Sequence, residues 1–312
     1  MNYTDLHCDT ALEMQRRHMG LRQNSLHIDM QKAKNFGTYT QVFAIWSDND
    51  REDDDNYADF FAVREHLLEN LKENDIALCE TGADFRLPRP RRAVLAVEGG
   101  KLLSDDIERL GVLRGCGVRF LTLVWNGECK LGGAFNTDVG LTDFGRETVK
   151  RCEELGIVVD VSHGSDRLVA DVFELAKKPP IASHSSSRAV LSKFCPGKKT
   201  PAKRNLTDEQ FLEIKRRGGI VGLSLCRGHI ADEDGPVTID DLMGHIDHYM
   251  ALGGGDTVCF GCDFDGAQIV DGVGDIRGVE KICEALAKSG YSGAAIENIM
   301  HKNADKFIMD NI

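Results

Sequence analysis

The sequence predicts an α/β fold, a (β/α)8 TIM barrel that fills residues 1–312 as a single domain. Three observations lead there. Eight short apolar runs rich in β-branched residues recur at 3–7, 39–45, 93–97, 119–124, 157–161, 180–183, 220–225 and 258–261. Helical patterns separate most of them, and alternating strands and helices imply parallel βαβ units. Side chains able to bind a metal lie far apart in the chain but close behind the predicted strands. A barrel gathers such positions at the C-terminal rim of its strands.

The elements can be justified in order. The runs IVVDV (157–161) and IVGLSL (220–225) are almost continuously apolar, as parallel strands covered on both faces are. Residues 59–74 place Phe60, Val63, Leu67 and Leu71 on one helical face. Predicted helices at 142–155 and 165–177 open on the cap residues Thr142 and Ser165. Thr207 and Gln210 form a capping box ahead of apolar Phe211 and Ile214, and Gly218-Gly219 stops that helix. A helix over 238–252 ends in glycines 253–255, and 294–309 is the closing helix. The least regular stretches, 10–34, 126–140, 194–205 and 266–278, follow strands and are predicted rim loops.

Composition removes several functions. The net charge of -12 comes without a basic stripe, so nucleic acid is not an expected partner. The acidic run at 48–55 reads as a solvated loop. No apolar stretch approaches the roughly 20 residues of a membrane-crossing helix. The start MNYTDLHCDT has neither a basic block nor an apolar core, so no signal peptide is expected. With ten scattered cysteines, this leads to an expectation of reduced thiols in a cytoplasmic protein. Neither a GxSxG elbow nor a phosphate-binding GxxxxGK[ST] loop occurs. Cys259 and Cys262 point to opposite faces of a predicted strand, so their CxxC spacing carries no site. His245 and His248 read as a solvated helix face. His18, His27, His66, His229 and His301 lack a strand-end context and read as ordinary.

What remains is chemistry at strand ends. His7 and Asp9 are two apart, which on an extended backbone turns both to one side. Glu98 follows a buried strand and precedes Gly99-Gly100; His163 and His184 each follow a serine at a strand tip. Singly, these are turn carboxylates or hydrogen-bonded rim histidines. Together, three imidazoles and two carboxylates exceed the three protein ligands of one catalytic zinc and suit two ions sharing a carboxylate. Such ions polarise a carbonyl or phosphoryl oxygen and lower the pKa of water. Asp263, at the end of the last strand, is placed to move a proton; Asp265, of the same parity, is the competing residue.

The segments DLHCDT, VEGG, FLTLVWN, GLTDFGRETVKRCEELGIVVDVSH, IASHSSSRAV, GGIVGLSL and GCDFDG, in this order, resemble the membrane (renal) dipeptidase family, peptidase family M19. The resemblance covers most of the chain. It implies a metal-dependent barrel of the amidohydrolase type that cleaves dipeptides, often with a C-terminal D-residue, using two zinc ions (Zn2+). By that resemblance His7 and Asp9 bind one ion, Glu98 bridges, His163 and His184 bind the second, and Asp263 is the acid/base. It also implies an arginine for the substrate carboxylate, matched by Arg204, and suggests a homodimer. One position departs: relatives often carry a histidine where Trp125 stands. Either the neighbouring Asn126 supplies the missing donor or Trp125 reshapes the pocket. That departure keeps a second substrate class open, a lactam, cyclic amide or ester. A non-catalytic, metal-stabilised scaffold is the third reading.

Overall fold

Strands whose both faces are apolar must be covered on both sides, and this requirement organises the molecule. The computed structural model describes residues 1–194, 202–232 and 234–312. Its strands are β1 (Tyr3–Cys8), β2 (Tyr39–Trp46), β3 (Ala77–Leu78), β4 (Arg91–Glu98), β5 (Val118–Thr122), β6 (Glu128–Cys129), β7 (Gly132–Gly133), β8 (Val158–Asp160), β9 (Val221–Leu223) and β10 (Val258–Phe260). A curled parallel sheet runs β8-β5-β4-β2-β1-β10-β9, with β3 added beside β4. Along β2 and β4 the two faces separate cleanly. Val42, Ala44, Val94 and Ala96 join one buried cluster, while Phe43, Ile45, Leu95 and Val97 join the larger one. The smaller cluster also takes Leu6, Phe120, Ile181 and Ile220, and Phe307 and Ile308 of the last helix pack into it.

One predicted strand is not a strand. Residues 180–183 form only single bridges, Asp160 to Ile181 and Ala182 to Val221. Pro180 has no N–H for a ladder, so pairing begins one residue later and is spent after two. The strand path is therefore open between β8 and β9. Five backbone hydrogen bonds among the described residues cross the opening: Ile181 N to Val159 O (3.0 Å), Val161 N to Ile181 O (2.8 Å), Ala182 N to Ile220 O (3.1 Å), Gly222 N to Ala182 O (2.8 Å) and Ser185 N to Gly222 O (2.8 Å). Gly261 makes room for this tip, because a Cβ there would collide with the Ser183 carbonyl.

The helices form largely where their caps place them. Thr207 accepts from Gln210 N and Gln210 answers the Thr207 N–H, capping the helix Asp208–Arg216. The helix expected at 59–74 begins earlier, as Asp53–Glu73. Asp53, Asp54 and Asp55 form its first turn, so three residues of the supposed acidic loop instead complement the helix dipole. The closing helix is broken into Gly293–Glu297, a π-turn at Asn298–Lys302 and Asn303–Asn311. The wider turn sets Asn298 and Asn303, five apart, so that both amides donate to Gly255 O. A two-stranded hairpin, β6 with β7, stiffens the loop predicted at 126–140. Residues 195–201 of the loop predicted at 194–205 lie outside the described residues.

Candidate metal centre

The five predicted ligands meet at the rim. His7 stands next to last in β1, where the register with β2 shifts between Asp5 and Cys8. The buried Asp5 carboxylate accepts both His7 N–H and Cys262 N–H at 3.0 Å, tying the ends of β1 and β10 together. Asp9 is not on extended backbone, as the spacing argument assumed. It is the N-cap of the helix Thr10–Arg16, with φ -99° and ψ 11°, yet its side chain makes no capping bond. That carboxylate turns to His7 instead, with Oδ2 3.4 Å from Nε2. Gly266 permits the approach, since a Cβ there would collide with the carboxylates of Asp9 and Asp263.

Glu98 ends β4 and faces both ways. Its Oε2 lies 3.7 Å from His7 Nε2. Its Oε1 lies 2.9 Å from His163 Nε2 and 3.2 Å from His184 Nε2. The two histidine nitrogens are 3.0 Å apart. His7 Nε2 is buried without a hydrogen-bond partner. Such an orphan, aimed at three carboxylates, is costly unless a cation is there to receive its lone pair. Residues and geometry therefore fit bound metal.

The electrostatics agree. Burial, and the charges of Arg204, His229 and His7, hold the His163 imidazole well below its usual range. Burial does the same to His184, with His7 and Arg204 adding to it. Both are thus neutral, as ligands must be. Burial pushes Glu98 up to about 8, reinforced by Asp9 and Asp263 and opposed by His7. Burial alone would lower His7, but Glu98, Asp9 and Asp263 outweigh it and raise it to about 10. A crowded set of carboxylates that retains protons lacks positive charge, which a divalent ion supplies.

A buried network aims the histidines. Asp160, in β8, accepts four bonds: Ser162 N–H (2.9 Å) and Ser183 N–H (2.9 Å) on Oδ1, Thr122 Oγ1–H (2.5 Å) and Ser183 Oγ–H (2.5 Å) on Oδ2. Ser183 Oγ, having given its proton to Asp160, accepts from His184 Nδ1–H at 2.8 Å. The network thereby assigns the proton to Nδ1 and the free lone pair to Nε2, beside Glu98. His163 Nδ1 lies 3.3 Å from Asn126 Oδ1. Sequence reasoning missed Asp160 and Ser183, although an aspartate inside the apolar run IVVDV was a visible signal.

The proton-moving candidates separate. Asp265 is engaged by Thr10 Oγ1–H (2.5 Å) and His27 N–H (2.6 Å), and so ties the start of the Thr10–Arg16 helix to His27. Asp263 Oδ1 lies 3.9 Å from His7 Nε2, and burial raises its carboxyl to about 6. Both, together with His163, have left-handed backbone (φ 63°, 68° and 67°), strain held in place by the surrounding packing. Arg204 is 5% exposed and donates to Ser185 Oγ at 3.0 Å, while its Nε and Nη2 have no partner. Trp125 packs edge-on against Trp46, centroids 4.7 Å apart, and both line a cleft of about 180 Å³ with Leu12, Glu13, Arg16 and Glu98. Asn126 does not line that cleft. Its amide oxygen faces His163 Nδ1 and its carbonyl accepts from Asn49, so these contacts engage its acceptors and not its NH2 donor. His229, read as ordinary, reaches the centre: its nitrogen groups with Asp263 and Cys226.

The sequence profile of the membrane dipeptidase family, peptidase family M19, matches residues 1–310. The chain belongs to this metallopeptidase family. An M19 dipeptidase crystal structure superposes over 100% of this chain and 98% of its own, with TM-score 0.90 and 26% identity. A metallopeptidase from Rhodobacter sphaeroides, solved with a phosphinate mimic of the dipeptide L-Ala-D-Ala, covers 100% and 99% with TM-score 0.89 and 25% identity. Among curated sequences, a Klebsiella pneumoniae protein named only by its place upstream of pqqA is 29% identical over 73% of this chain and 86% of its own. Mouse dipeptidase 3 is 27% identical over 67% of this chain, a match that spans 42% of the mouse protein. M19 membership accounts for the curled parallel sheet.

Proposed function

We propose that this M19 protein is a zinc dipeptidase with two ions bridged by Glu98. The observation that carries the reading is the divided orientation of Glu98, one oxygen toward His7 and the other toward His163 and His184. His7 and Asp9 would hold one ion, His163 and His184 the other. Bound there, the ions would polarise the scissile carbonyl and make a nucleophile from water. Asp263 would take the proton from the attacking water and pass it to the departing amine. The free Nε and Nη2 of Arg204 would receive the substrate's terminal carboxylate. Trp125 and Trp46 would wall the cleft. The R. sphaeroides relative's phosphinate ligand supports a dipeptide with a C-terminal D-residue as the first substrate to try. The nine described cysteines, all free thiols, support the further proposal of a cytoplasmic setting.

The test is hydrolysis of paired L-Xaa-L-Xaa and L-Xaa-D-Xaa dipeptides by the zinc-loaded protein, with chelated protein as control. Metal-dependent release of free amino acids is expected. Trp125 in the cleft favours a second reading, a lactam, cyclic amide or ester substrate. Turnover of those with silence on every dipeptide would select it.

A further inference from the structure

Beside the Glu98 centre lies a group of donors with a different chemistry. One ligand atom each from Cys226, His229 and Asp263 lies within 4.8 Å of the others. Cys226 and His229 are only partly buried. Ser224 organises both: its Oγ accepts from Cys226 N–H at 3.1 Å and pairs with His229 Nδ1 at 2.9 Å. That bond occupies Nδ1 and leaves Nε2 available as a ligand. We propose that Cys226, His229 and Asp263 form an additional metal site that takes a thiophilic divalent cation, such as zinc in excess, cobalt or cadmium, and that filling it stops turnover.

The donor set argues for the cation class. Sulfur, nitrogen and oxygen from three side chains, with a position left open, suit zinc and its softer neighbours, while magnesium and calcium prefer oxygen throughout. The surroundings set the order of filling. Arg204 acts electrostatically on Cys226, His229 and Asp263 alike, and its positive charge opposes a cation there. The Glu98 centre, with three carboxylates around His7, fills first. The added site therefore fills only at excess metal. Inhibition rests on the dipeptidase reading, because the ion would claim the Asp263 carboxylate assigned there to proton transfer. Metal binding itself does not rest on that reading.

The experiment is a cobalt titration of chelator-stripped protein, followed in the near ultraviolet, with zinc content counted after equilibration in excess zinc. A thiolate-to-cobalt charge-transfer band is expected to grow only after the Glu98 centre is filled. It should be absent from Cys226→Ser, which should retain one zinc fewer than the wild type. His229→Gln supplies a second variant should Cys226→Ser fail to fold, and should weaken the band's metal affinity by more than about tenfold, the lower end of what even an outer partner of a ligand contributes. Absence of the band at every ratio, or equal zinc content in wild type and both variants, overturns the site. Dipeptide turnover should fall in excess zinc for the wild type and resist it in Cys226→Ser; equal sensitivity overturns the inhibitory role. If no dipeptide is turned over, the band and the zinc count still decide the site, and the dipeptidase reading fails on its own.

Discussion

Replacing Asp160 by asparagine should loosen metal at a distance, although Asp160 touches no ion in the proposed arrangement. All four groups around it are donors, from Ser162, Thr122 and twice from Ser183. A carboxylate accepts them all, whereas an asparagine offers one accepting oxygen and an NH2 group. If that oxygen keeps the two backbone N–H groups, the NH2 confronts two hydroxyls that were donating. The Ser183 hydroxyl must then turn its proton toward His184 Nδ1, 2.8 Å away. Nδ1 becomes the acceptor and Nε2 carries the hydrogen, which blocks the nitrogen beside Glu98. Loss of an outer partner of a ligating histidine costs about 10- to 100-fold in metal affinity, or about 1.4–2.7 kcal/mol. Folding stability should fall by about 1–3 kcal/mol from the mispaired buried polar groups. Metal retained after dialysis against graded chelator, with a denaturant melt alongside, measures both. Activity should return as metal is added back up to the amount that refills the Glu98 centre. Ser183→Ala, which cuts the same relay while leaving Asp160 in place, should shift metal affinity in the same direction. Unchanged retention in both variants would refute the relay.

Other outcomes follow from the same geometry. Asp263→Asn should lower kcat by about 100- to 10,000-fold, the range for a general acid–base group. Its metal content should stay near wild type, and metal analysis beside kinetics separates that result from a ligand role. Arg204→Met should raise KM for dipeptides by about 10- to 100-fold, the equivalent of charged hydrogen bonds worth about 1.5–3 kcal/mol. A dipeptide amide lacking the terminal carboxylate should be little affected, and equal loss on both would remove Arg204 from substrate binding. In the metal-free protein the contribution of Glu98 to stability should fall as pH rises. Glu98 titrates near 8 in the fold against 4.5 when unfolded, so its contribution is full below about 4.5 and is lost by about 8. Melts of metal-free Glu98→Gln across that window should be flatter than wild type, and a parallel slope would contradict the assignment.

Much of the fold was legible because burial on two faces leaves a local trace. Seven of the predicted apolar runs correspond to β1, β2, β4, β5, β8, β9 and β10. The run at 180–183 has the same composition, but with a single residue pairing on each side it makes bridges and no strand. The five metal-binding candidates were legible for a related reason: a charged or imidazole side chain ending an apolar run stands out against it. The Thr207 cap was readable because its whole geometry lies within four residues.

What tertiary structure decided involves partners distant in the chain. Asp263 and Asp265 are indistinguishable by spacing, yet Asp265 is taken by Thr10 and His27, more than 230 residues away. Asn126, a candidate donor by its place beside Trp125, acquires through its amide oxygen a contact with His163, 37 residues on. Asp160 looked like an irregularity in an apolar strand, and its meaning depends on Thr122 and Ser183 closing around it. His229 gained a context only when Cys226 and Asp263 came to its side. Periodicity and caps are written in neighbouring residues, so the sequence alone determined the barrel-like sheet and the ligand types at its rim. Which nitrogen holds a proton, and which carboxylate remains free, depends on hydrogen bonds between strands, and those exist only once the sheet has curled.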